Sequence, residues 1–312
     1  MADNRSPSSS PSIIEQAARR LAELERAGIR VPDASASTAP ELAPPEPVSA
    51  APSFVAPAAD AANSRVPKAE IDLDRLLAMG YLAPGAPRTQ LADEFRVVKR
   101  PLLNNIAGKG AARVARANQI MITSALAGEG KTFSAVNLAL SIASEMDRTV
   151  LLVDADVQRP AILDRFGLPR SKGLLDVLTD PSVSMQDVLL RTNIEKLSIL
   201  PAGTPQSHAT ELLASEAMTR LVEEMASRYT DRVLIFDAPP LLASTESRVL
   251  ATHMGQVVMV VAADRTPQAS VSAALATVES CPVVMTLLNK ARYSKAAAYY
   301  GYYGGYGYGY GN

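Results

Sequence analysis

Six short apolar runs punctuate the chain, at residues 120–123, 150–153, 197–200, 233–236, 257–261 and 283–287. Most are apolar at every position rather than at every second one, which is the pattern of parallel strands covered on both faces. Between and after them, residues 132–146, 211–228 and 269–280 place apolar side chains at helical spacing. This alternation predicts an α/β domain over residues 69–291, with a mainly parallel sheet flanked by helices. No run approaches the ~18 consecutive apolar residues that a membrane-crossing helix needs.

On either side the pattern changes. Ser12-Ile-Ile-Glu15 has the form of a helix-capping box, and Ile13, Ile14, Ala17, Leu21 and Leu24 follow at helical spacing. They predict an amphipathic helix within an N-terminal leader spanning 1–32. About fifteen residues are only marginally helical alone in water, so docking on the α/β domain or on a partner is expected. Residues 33–68 are rich in Pro and Ala with few large apolar side chains, a composition that cannot offset chain entropy and predicts a flexible linker. From residue 292 the sequence is Tyr/Gly-rich, which predicts a mobile tail.

Composition narrows the functional classes. The 312 residues are 47% hydrophobic and 20% charged, with a formal net charge of −1. One substantial core fits that length, and binding nucleic acid through bulk charge is excluded. Arg96, Lys99, Arg100, Lys109, Arg113 and Arg116 form a local basic stretch, read as a solvated helix face. Cys281 is the only cysteine, so no intrachain disulfide can form. Together with a polar start lacking a signal-peptide core, this points to the cytoplasm.

The chemistry concentrates after the first strand. Ala125-Leu-Ala-Gly-Glu-Gly-Lys131-Thr132 follows the phosphate-loop spacing with alanine in place of the first glycine. Glycines allow backbone N–H groups to converge on phosphate oxygens, and a helix starting near Lys131 adds its positive end. Residues Ala127, Gly128, Glu129, Gly130, Lys131, Thr132 and Phe133 are therefore the expected nucleotide contacts. Lys131 would reach the β- and γ-phosphates of ATP, and the Thr132 hydroxyl would ligate Mg2+. Asp154 and Asp156 close the second strand, and Asp237 closes the fourth in the manner of a Walker B acid. In a parallel sheet these carboxyl ends gather at one edge, where ligands bind.

Eight of the ten tyrosines lie in the tail: Tyr293, Tyr299, Tyr300, Tyr302, Tyr303, Tyr306, Tyr308 and Tyr310. A flexible segment of this length has a fully extended reach of about 65 Å. It can present phenol oxygens to an active site as phosphoryl acceptors.

With these residues in place, the chain resembles the bacterial tyrosine kinases, which use a Walker-type fold. The resemblance rests on AGEGKT, LLVDADVQRP, IFDAPPLL, TELLAS and the tyrosine cluster, and covers most of residues 88–312. SIIEQAARRLAEL, RVVKRPLL and RYTDRVLIFDAPP are similar to the exosortase-associated tyrosine autokinases of exopolysaccharide loci.

That resemblance implies autophosphorylation of the tail and control of exopolysaccharide polymerisation or export. It further implies a homo-oligomer, a cognate tyrosine phosphatase, and a membrane-spanning chain-length co-polymerase that would hold the protein at the inner membrane. It makes Lys131 and Asp154 the catalytic residues, with Asp154 as base for the tyrosine hydroxyl. Thr132, Asp156 and Asp237 become the metal site, and Asn289 an adenine contact.

Several positions depart from the family pattern. Ala127 stands where proline is frequent and Gln158 where an arginine is common. The acid-Arg-Arg oligomerisation motif reads Asp93, Arg96 and Lys99, and lysine cannot reproduce a bidentate arginine contact. The competing function on the same fold is a partitioning or septum-site regulatory ATPase. Such proteins carry a lysine at the position occupied here by Leu126.

Overall fold

The computed structural model describes residues 68–228 and 232–291. The expected leader and helix (1–32), nearly all of the expected linker and the tyrosine tail from 292 lie outside the described residues. The strands are β1 (Lys68–Ala69), β2 (Gln119–Ser124), β3 (Thr149–Asp154), β4 (Leu190–Thr192), β5 (Leu197–Leu200), β6 (Arg232–Asp237), β7 (Gln256–Ala262) and β8 (Val283–Asn289). They form one sheet in the order β1-β4-β5-β3-β6-β2-β7-β8. Every pairing is parallel except β4 with β5.

Continuously apolar strands are explained by two cores, one on each face. Met121, Leu151, Val153, Leu234, Phe236, Val257 and Met259 pack into one. Ile120, Ile122, Val150, Leu152, Val233, Ile235, Val258 and Val260 pack into the other. Helix α1 (Leu73–Ala78), α2 (Gln90–Ile106), α3 (Lys131–Ala143) and α4 (Ile162–Phe166) contribute to the second core. The first is covered by α5 (Leu174–Thr179), α6 (Met185–Val188), α7 (Ala209–Leu213), α8 (Glu216–Arg228), α9 (Thr245–Thr252) and α10 (Gln268–Ala276). Cys281 is buried within it.

The helices end earlier than their apolar spacing predicts, and side chains account for this. The helix expected over 132–146 stops at Ala143. Beyond it, Lys196 Nζ donates to the carbonyls of Glu145 at 2.8 Å and Met146 at 2.9 Å, diverting the backbone. The helix expected over 211–228 is divided at Ser215, whose hydroxyl donates to Leu212 O at 2.7 Å and accepts from Met218 N–H at 3.3 Å. At 276, α10 gives way to a turn in which Thr277 Oγ1 bonds Ala274 O. The two short strands β1 and β4 carry no periodic signal in sequence. Asn193 joins them to the domain by accepting from Ile71 N–H at 2.9 Å and donating to Ile71 O at 3.0 Å.

One sequence expectation fails on α2. Lys99 is not part of a solvated face: it is 6% exposed, donates to Ser141 O at 2.6 Å and pairs with Glu145 at 2.7 Å. A lysine aimed at the C-terminal end of α3 finds both a free carbonyl and the negative end of the helix dipole. Arg96 is instead held on the surface by Asp93 at 2.7 Å.

Candidate active site

Strand register builds the site. β6 lies between β2 and β3, so Asp237 is the direct ladder partner of Asp154 on one side and of Ile122 on the other. Side chains alternate along a strand. Asp154 and Asp237 therefore share the face of Leu152 and Ile235, which α3 covers. The loop between β2 and α3 is the phosphate loop, and its last residue begins the helix that lies over both acids.

The loop is shaped to receive an anion. Gly128 has φ 81° and Gly130 φ 101°, and Gly130 takes the N-cap position of α3 with no side chain capping it. The first-turn N–H groups therefore have no intrahelical or capping partner. Glu129 does not face the anion position. It is 3% exposed, and its carboxylate accepts from Leu126 N–H at 2.6 Å, from Ala262 N–H at 3.4 Å and, in a very short bond, from Thr266 Oγ1. Phe133 turns its ring onto Tyr81, with centroids 5.2 Å apart. Both residues can serve a nucleotide only through their backbones.

The end of β8 braces the loop from the other side. Asn289 Nδ2 donates to Glu129 O at 2.8 Å, its Oδ1 accepts from Lys290 N–H at 2.8 Å, and Lys290 Nζ donates to Gly128 O at 2.5 Å. A cavity of about 520 Å3 lined by Ala263, Asp264, Arg265 and Lys290 opens beside this brace. The contribution of Lys290 escaped the sequence reading, because a lysine in a strand-end turn has no distinguishing pattern.

The loop-to-strand contact gives a prediction. A Cβ on Gly130 would meet Asn289 Nδ2 at 2.1 Å, whereas one on Gly128 meets nothing within 4 Å. Gly130→Ala therefore adds a collision to backbone strain of about 1–3 kcal/mol. Its affinity for a fluorescent ATP analogue should fall at least about tenfold, the equivalent of 1.4 kcal/mol. Adding Asn289→Ala should recover part of the loss, and an unimpaired single variant would contradict the tight approach.

Three carboxylates and one lysine occupy the space beneath the loop. Lys131 Nζ pairs with Asp156 at 2.5 Å and lies 3.9 Å from Asp237. Burial opposes its charge, but Asp237 and Asp156 outweigh it and hold the pKa above the usual lysine range. Asp237 is fully buried, and neither oxygen makes a hydrogen bond of regular geometry, although the Thr132 side chain lies close enough to favour its charged form. Burial pushes its pKa up to about 6 against the pull of Lys131.

Asp154 is 1% exposed, and its Oδ2 accepts from the N–H groups of Ala161 and Ile162, both at 3.0 Å. Its Oδ1 is buried without a partner. Burial, followed by the charge of Asp237, raises its pKa to about 8.

These residues fit Mg-ATP. The uncapped N–H groups match phosphate oxygens, and the buried Asp237 oxygens match a divalent cation or its water shell. Among the described residues no three His, Cys, Asp or Glu side chains are grouped to hold a metal alone. Magnesium suits such a place, because it is characteristically shared among one or two carboxylates, water and substrate phosphates.

Comparison with known proteins agrees with this geometry. Residues 117–288 match the AAA domain family. The tyrosine-protein kinase YwqD of Bacillus subtilis strain 168 is 32% identical over 226 residues, 72% of this chain and 90% of the relative. The VpsO kinase domain superposes with a TM-score of 0.54 at 30% identity, covering 64% of this chain and 96% of that one. For the chimerical protein CapA2B2 the TM-score is 0.56 at 25% identity, with coverages of 71% and 94%. A parallel sheet, a phosphate loop over paired strand-end acids, and these relatives together show that the chain belongs to the AAA-domain P-loop family as a bacterial protein-tyrosine kinase.

Proposed function

We propose that the chain is an ATP- and Mg2+-dependent autokinase that phosphorylates its own C-terminal tyrosines and thereby regulates exopolysaccharide polymerisation or export. The observation that carries the kinase chemistry is Asp154. Its buried oxygen without a partner supports a base role beside the phosphate loop, and with a pKa of about 8 its ionised fraction, which grows as pH rises toward that value, can take up the phenol proton.

Mg-ATP supplies the transferable phosphoryl group and the divalent charge that screens it. Lys131 and the loop N–H groups would hold the phosphates, while Thr132, Asp156 and Asp237 would hold the metal. Asp154 takes the proton of the attacking phenol, and Asn289, which also braces the loop at Glu129 O, would contact the adenine. Lys131 has to leave Asp156 to serve both phosphate and metal.

Membership in the kinase family also supports the remaining parts of the reading. The domains are an N-terminal leader and helix (1–32), a linker (33–68), the kinase domain (69–291) and the acceptor tail (292–312). The partners are a second copy of the chain, a membrane-spanning chain-length co-polymerase and a cognate phosphatase. Among the described residues no helix is long and apolar enough to cross a membrane. Attachment at the cytoplasmic side of the inner membrane through the co-polymerase is part of the same proposal and rests on the family resemblance.

Incubation of purified protein with γ-labelled ATP tests the acceptor. Replacing the eight tail tyrosines with phenylalanine should remove essentially all label and leave nucleotide binding unchanged. Label persisting at the wild-type level would place the acceptor elsewhere.

A further inference from the structure

Glu246 is a buried carboxylate that phosphoryl transfer does not use. Lying in the first turn of α9, it is 4% exposed, and no cationic side chain among the described residues pairs with it. Neutral donors hold its charge instead. Thr210 Oγ1 at 2.6 Å and Gln158 Nε2 at 3.0 Å donate to Oε1, and Ser244 Oγ donates to Oε2 in a very short bond. Burial opposes ionisation, but these donors outweigh it and keep the carboxyl below the usual glutamate range.

The donors come from three separate segments. Ser244 precedes α9, Thr210 is in α7 within the TELLAS segment, and Gln158 belongs to the loop joining β3 to α4. A buried ion generally stabilises no better than a well-packed apolar side chain, so adhesion alone does not account for the cluster. What the cluster reaches does.

The β3–α4 loop carries Asp156. At its base Ala155 N–H continues the ladder by donating to Asp237 O at 2.9 Å, and Arg159 N–H folds back onto Asp156 O at 3.0 Å and Oδ1 at 3.3 Å. Gln158 ties the outer part of that loop to Glu246, across 88 residues of sequence.

We propose that Glu246 is a positioning residue: through Gln158 it fixes the β3–α4 loop so that Asp156 presents its carboxylate to Lys131, and to magnesium when nucleotide arrives, in one orientation. The proposal rests on the reading of Asp156 as a metal-site acid. Partners that orient metal ligands from behind characteristically change metal affinity or activity about 10–100-fold when removed.

Gln158 is an exposed residue, so Gln158→Ala cuts the limb toward the loop without disturbing the core. The full chain is used, with two readouts: binding of a fluorescent ATP analogue with Mg2+ and with chelator, and kcat for tail labelling. Gln158→Ala should lower the Mg2+-dependent gain in nucleotide affinity and kcat each about tenfold, with KM for a tail peptide and Tm unchanged. Gln158→Arg, whose guanidinium can donate to Glu246, should restore both. Adding Glu246→Ala to Gln158→Ala should lower neither further than Glu246→Ala alone.

Normal metal dependence and kcat in Gln158→Ala, or full additivity in the double variant, would overturn the proposal. A fall in Tm without a change in metal dependence would do the same, by reducing Glu246 to a structural brace. Asp156→Asn is the control for the underlying reading. If it keeps wild-type metal dependence the assignment of Asp156 fails, irrespective of Gln158.

Discussion

Lys131→Met is expected to abolish tail labelling, with kcat reduced at least about 100-fold, the usual scale for removing a group that stabilises transition-state charge. The lost ammonium also bears on the fold. Lys131 is the cation among three buried carboxylates, paired with Asp156 at 2.5 Å and 3.9 Å from Asp237. Removing one member of a buried pair destabilises by up to about 3–5 kcal/mol, unless the acids take up protons.

Asp237 has its pKa near 6 even with Lys131 present. Without the lysine it should stay protonated to higher pH. The nucleotide-free variant should accordingly have a Tm close to that of the wild type at pH 5 and about 5 °C or more below it at pH 8, since 1 kcal/mol moves Tm by roughly 2–4 °C at this size. Thermal unfolding at the two pH values checks this. Equal deficits at both would show that the lysine stabilises by packing rather than by charge.

Asp154→Asn should separate binding from chemistry in the opposite direction. Phosphoryl transfer should be lost, because the amide cannot take the phenol proton, whereas Mg-ATP affinity should stay within about tenfold, or 1.4 kcal/mol. Loss of nucleotide binding would move Asp154 from base to metal ligand.

Stability gives an independent reading of the same residue. The folded-state pKa of Asp154 is raised from 3.8 to about 8, so the folded chain keeps a proton that the unfolded chain releases above about pH 4. The stability from that proton is complete below pH 4 and is lost as pH rises toward 8. Asparagine does not titrate. The variant's Tm should gain on the wild type across this window, and a difference of only 2 kcal/mol would appear as roughly 4–8 °C. A Tm difference that stays flat with pH would mean that Asp154 is ionised in the fold.

Much of the architecture follows from local rules that the sequence displays. Six apolar runs became β2, β3, β5, β6, β7 and β8: the first five are buried between two helical layers, which requires strands apolar on both faces, whereas β8 is an edge strand left half-buried with Leu288 exposed. The phosphate loop was legible for a similar reason: Gly128 and Gly130 adopt positive φ, which other residues avoid, so the conformation leaves its mark on composition. The strand-end acids could be picked out because a carboxylate ending an apolar run has no core role.

Tertiary structure decided what those residues do to one another. The order of strands in the sheet, which no local pattern encodes, makes Asp237 the ladder neighbour of Asp154 and brings both under α3. Burial, followed by the charge of Asp237, then raises the pKa of Asp154, while burial raises that of Asp237 against the pull of Lys131. The inward turn of Glu129, the capture of Lys99 by Ser141 and Glu145, and the brace from Asn289 and Lys290 all join segments distant in sequence. The same holds for Glu246, which reads locally as an ordinary first-turn acid of α9. Charge at such positions is determined by what the fold places opposite them, and that information is held in the contacts across the sheet rather than in the residues themselves.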